Sequence, residues 1–92
     1  MNPNDEFGKS LKDTAIDRKI AEMPLDTPQR IVEALRLLLG ASDKERAHRY
    51  AEDTLMPTLE MLRQTQRTAV EAYDPEINRL RQQINANRTR PK

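Results

Sequence analysis

The chain of 92 residues has no cysteine, no tryptophan, one histidine and two glycines, and only 3% of it is aromatic. Each shortage removes a class of protein. Without cysteine there is no disulfide framework and no thiolate metal site. With His48 alone, an intrachain zinc cluster lacks ligands, and no cofactor is expected. The longest uninterrupted apolar run is Leu37 to Leu39, far short of the ~20 residues that a membrane helix needs. The first ten residues, MNPNDEFGKS, lack the basic start and apolar core of a signal peptide, so a cytoplasmic protein is expected.

Large apolar side chains are also scarce. Leu, Ile, Val and Phe together number 18, against 16 basic and 15 acidic residues. Fixing the backbone costs about 1–2 kcal/mol per residue, and so thin an aliphatic supply offsets that poorly. Small domains in this position add disulfides, metals or a second subunit. Only the last is open here, so a homodimer is expected.

What the chain does have is helical periodicity. Leu55, Leu59, Leu62, Gln66, Ala69 and Tyr73 recur at spacings of 4, 3, 4, 3 and 4, a coiled-coil-like seam close to 3.5 residues. The stretch 55–73 reads as one helix that buries a narrow stripe. Gln66 on that seam reads either as a buried polar residue that sets register or as a frayed, wet position.

Residues 1–9 read as a disordered leader in which Phe7 is the one candidate anchor. Ser10 can cap a first helix that carries Asp13 in its first turn and Leu11, Ile16, Ile20 and Met23 as an imperfect stripe. Pro24 disfavours helix at Met23, so this helix ends near Glu22. Thr27-Pro28 is a helix start, with Thr as cap and Pro where its missing N–H costs nothing. Ile31, Val32, Leu35, Leu38 and Leu39 then cover a wide face, and Gly40 marks the stop. Ser42 and Glu45 fit a capping box. The helix that follows is polar apart from Ala47, Tyr50 and Ala51.

Two prolines bear on the architecture. One straight helix over residues 43–86 would span about 66 Å, against a radius of gyration of about 12 Å for a compact chain of this length. Interior proline costs about 3 kcal/mol. A restart with Thr54 as cap and Pro57 in the first turn is therefore expected. Asp74-Pro75 repeats the pattern of Thr27-Pro28, so a last helix is expected from Pro75 to near Asn87. The fold class is all-α: a small helical bundle or extended helical hairpin of four to five helices over residues 10–87, with a basic tail at 88–92. The helix 28–39 is expected to pack against 55–73.

No catalytic, metal or nucleotide motif stands out. His48 lies among Glu45, Arg49 and Glu52 without an orienting partner, and a solvated surface histidine is its plain reading. Glu52, Asp53 and Glu60 read as ordinary solvated acids. Met23, Met56 and Met61 suit either core filling or an adaptable interface. From Arg79 onward Arg79, Arg81, Arg88, Arg90 and Lys92 follow one another with no acid among them, and arginine suits phosphate contacts. No aromatic residue accompanies them for base stacking, and the pI of about 8.1 is below that of a typical nucleic-acid-binding domain.

The expectation is a non-enzymatic protein-interaction module: a small regulator, inhibitor or adaptor that binds a larger protein through helical surfaces. Leu35, Leu38, Leu59 and Leu62 would hold the fold or dimer. Arg63, Arg67, Tyr73, Arg79 and Arg81 would address the partner, which the arginines would suit if it is acidic. The alternative is a dimeric nucleic-acid accessory protein with Arg79, Arg81, Arg88 and Arg90 on phosphates.

Overall fold

The structure is a computed structural model that describes residues 11–88. The leader, the Ser10 cap, Arg90 and Lys92 lie outside these residues. Every regular element among the described residues is helical. The order is α1 (Leu11–Ala21), α2 (Pro28–Leu39), α3 (Lys44–Tyr50), a π-helical turn (Ala51–Leu55), α4 (Met56–Thr65) and α5 (Arg67–Arg88). Since α3, the π turn and α4 follow without interruption, the described residues form four helical units. No helix among the described residues is long and apolar enough to cross a membrane.

Local chemistry sets the first boundaries. In α1, Ile20 is buried and Ile16 is half-buried, as is Met23 just past the helix end, while Leu11 is 75% exposed and off the stripe. The buried line runs through Asp13 instead. Its carboxylate accepts the N–H of Ser42 at 2.6 Å and of Asp43 at 3.0 Å, tying α1 to the start of α3. Thr27 caps α2 from an extended conformation, its Oγ1 accepting Arg30 N–H at 3.4 Å, and Pro28 is the first helical residue. Gly40 follows the last turn at φ −88°, so its role as terminator does not use the left-handed conformation.

Four expected boundaries are corrected. The cap of α3 is Asp43, which accepts Arg46 N–H at 3.0 Å, and not Ser42, whose N–H is held by Asp13. The helix does not restart at Thr54. Residues 44–65 continue through Pro57, because the turn before the proline widens: Met56 N–H reaches back five residues to Ala51. A proline has no N–H to give and its ring crowds the carbonyl four residues back, and a π turn relieves that conflict without ending the helix. Thr58 Oγ1 also donates to the Thr54 carbonyl at 2.8 Å.

The break comes at Gln66, so 55–73 is not one helix. Gln66 has φ −131° and ψ 45°, its carbonyl accepts Val70 N–H at 2.9 Å, and its side-chain Nε2 donates to the Asp26 carbonyl at 2.8 Å. The helix phase resets there. Val70 is fully buried, and Ala69, the expected seam residue, is exposed. Nor does a helix begin at Pro75, which lies inside the 22-residue α5. Asp74 does not cap; both of its oxygens accept from Arg63. What offsets the missing hydrogen bond is an unbroken apolar line, Val70, Ile77, Leu80 and Ile84, at spacings of 7, 3 and 4.

The reversal at Gln66 lays α5 antiparallel along the helix 44–65. Ion-pair partners run in opposite numerical order: Arg63 with Asp74, Glu52 with Arg81, Glu45 with Arg88. Helix α2 lies parallel to α5, linked by Gln66 to Asp26 at one end and by Arg36 to Glu76 at the other. The helix 28–39 therefore packs chiefly on α5, whose start supplies residues 67–73 of the expected stretch, and less on the π turn and α4. Ile31, Leu35, Leu55, Val70 and Ile77 are the most deeply enclosed apolar side chains, drawn from all three long units. The molecule measures 49 × 31 × 16 Å.

Candidate functional site

The antiparallel pairing creates a row of charged crossings on the hairpin. At the Gln66 end, Arg63 donates to Asp74 at 3.0 and 3.3 Å and to Glu60 at 3.4 Å. Midway, Arg81 makes a two-pronged pair with Glu52, Nε to Oε2 at 3.0 Å and Nη2 to Oε1 at 2.9 Å. At the far end Arg88 stands 3.8 Å from Glu45. Carboxylates and guanidinium groups meet here because residues 45 and 52 on one helix face the arginines of the other.

Beside the middle pair is a polar recess lined by His48 and Glu52 from the helix 44–65 and by Asn78, Arg81, Gln82 and Asn85 from α5. His48 and Glu52 are four residues apart on one helix face. Asn78, Gln82 and Asn85 are spaced 4 and 3 on the other, so each set forms one stripe. The recess adjoins the π turn at residues 51–55. The hydrogen bond from Arg81 holds the Glu52 carboxyl below its ordinary range, against an opposing effect of burial, with smaller electrostatic contributions from Arg81 and the neighbouring His48 adding to it. The same bond raises Arg81. The pair is thus charged across the physiological range and its geometry is stiffened.

The residues singled out from sequence fall into three groups. Leu35, Leu38 and Leu59 are at most 4% exposed and belong to the chain's own core; Leu62 and Tyr73 are half-buried against it. Arg63, Arg67, Arg79, Arg81 and Arg88 lie along the hairpin, and each is paired with a carboxylate: Arg67 with Glu71 at 3.6 Å, Arg79 with Glu76, and the others as above. Glu76 also accepts from Arg36 and is held below its ordinary range by these two arginines, Arg79 first. The acid-free run from Arg79 to Arg88 is therefore not an acid-free surface. His48 is at the recess, together with Glu52.

Asn78, Gln82 and Asn85 were not among the residues singled out from sequence. Their 4 and 3 spacing was the available signal. What the spacing did not reveal is that His48 and Glu52 of the helix 44–65 stand opposite that stripe, because this follows from the reversal at Gln66. Among the described residues no three His, Asp or Glu side chains are grouped to hold a metal ion. No family model, no curated protein and no solved structure matches this chain.

Proposed function

We propose that the chain is a non-enzymatic interaction module, a small cytoplasmic regulator, inhibitor or adaptor that binds a larger protein through its helical hairpin. The observation that carries this reading is the polar recess. It is an open groove between two braced helices, furnished with hydrogen-bonding groups whose charges are already paired. Such a surface is suited to recognition. Its Glu52 and His48 lack the enclosed pocket and the base–orienter geometry that general acid–base work needs.

The nucleic-acid alternative draws less support. Phosphate binding needs cations free to release counterions, and Arg79, Arg81 and Arg88 each face a carboxylate. Dimerisation is a separate part of the proposal. The compositional case for it weakens once one chain encloses its own core, and exposed Leu11 on α1 and Met61 on α4 are the large apolar side chains left in its favour among the described residues.

The test is affinity capture with the full chain as bait in cells of its source, with a parallel titration of random duplex DNA at rising salt and light scattering of the purified chain. Expected are stoichiometric recovery of a larger protein and no DNA shift at low salt. Tight, steeply salt-dependent DNA binding without a protein partner would overturn the reading. A monomeric mass at micromolar concentration would remove the dimer alone.

A further inference from the structure

The recess carries hydrogen-bonding groups in a spacing that fits one kind of occupant. Asn78 and Gln82 are exposed, line the recess and stand four residues apart on α5. At the helical rise this separates them by about 6 Å along the axis. An extended polypeptide turns the same side of its main chain outward every second residue, about 6.6 Å apart. Each carboxamide offers an acceptor oxygen and N–H donors, the complement of the N–H and C=O that one residue of an extended chain turns to the same side. Two amides at this spacing therefore match two alternate, same-side residues of such a segment.

The rest of the recess agrees with such a ligand. Arg81 uses Nε and Nη2 on Glu52, so Nη1 remains as a donor, on a guanidinium that the pair holds still. Because Glu52 and Arg81 cancel, an uncharged segment settles there without stripping water from a lone charge. A helical segment does not fit this scheme, since its main-chain groups are bonded within the helix.

We propose that the recess is the docking groove for an extended, uncharged segment of a partner polypeptide, held through its main chain by Asn78 and Gln82 with Arg81 as a third donor. The proposal rests on the interaction-module reading and adds the surface used and the form of the segment it takes.

The test uses the full chain, ¹⁵N-labelled, titrated with a pool of N-acetylated, C-amidated hexapeptides of Ser, Thr, Val and Gln. Expected are saturable shifts of the Asn78 and Gln82 side-chain amide signals. Binding should weaken at least about tenfold for the N78A/Q82A double variant, and equally for the same pool N-methylated at alternate residues. Both positions are exposed, so the variant should keep the wild-type circular dichroism spectrum and urea midpoint. No saturable shift at millimolar peptide overturns the groove, as does binding that survives N-methylation or the double substitution. A protein captured from cells equally well by wild type and double variant overturns the groove and leaves the interaction-module reading standing.

Discussion

Replacing Asp13 tests the way α1 is attached. Its side chain is 1% exposed and accepts two backbone N–H groups, from Ser42 and Asp43, that precede the first turn of α3. Asp13→Ala deletes both bonds, leaves those N–H groups without their carboxylate, and opens a small void. A hydrogen bond to a charged group contributes about 1.5–3 kcal/mol, and the two here share one carboxylate, so a loss of about 2–4 kcal/mol is expected. For a domain of this size that is a large part of a total of about 5–15 kcal/mol. It corresponds to a fall in melting temperature of roughly 10–25 °C. Asp13→Asn keeps one acceptor oxygen and should lose about half as much. Urea unfolding followed by circular dichroism gives the free energies. Hydrogen exchange adds the location, since the amides of α1 should lose protection before those of α5. A change within about 0.5 kcal/mol for Asp13→Ala would refute the reasoning, because a buried carboxylate with two amide partners cannot be that cheap to remove.

Pro75→Ala should stabilise the chain by about 1–3 kcal/mol, as alanine restores an N–H to the interior of α5; a neutral or destabilising result in urea would mean that a helix begins at residue 75. The acid limb of stability should depend on Glu52 and Glu76. Both are depressed in the folded state, so their contribution is present above the ordinary carboxylate range and is lost as pH falls through the depressed values. Glu52→Gln should flatten that limb in melting curves recorded from neutral pH to pH 2, and an unchanged acid slope would show that the pair with Arg81 adds nothing.

The sequence was sufficient at the boundaries of α2 and at the end of α1, though not at Ser42, whose N–H is taken by Asp13 and where Asp43 caps instead. Thr27-Pro28 starts α2, Pro24 limits α1 and Gly40 follows the last turn of α2, because caps and proline act on hydrogen bonds within one turn. Helical periodicity was sufficient for fold class, since the seam spacing admits no strand reading. Tertiary structure decided the rest. A proline cost of about 3 kcal/mol forecasts a break when judged locally. At Pro57 a widened turn absorbs the conflict, and at Pro75 the continuous burial of Val70, Ile77, Leu80 and Ile84 outweighs it. The chain reverses instead at Gln66, whose side chain finds a carbonyl forty residues away that no local rule anticipates. That reversal sets which helix faces which. It therefore determines that Arg81 and Arg88 of α5 meet Glu52 and Glu45 of the other helix, and that Asn78 and Gln82 stand beside Glu52 and His48 in one recess.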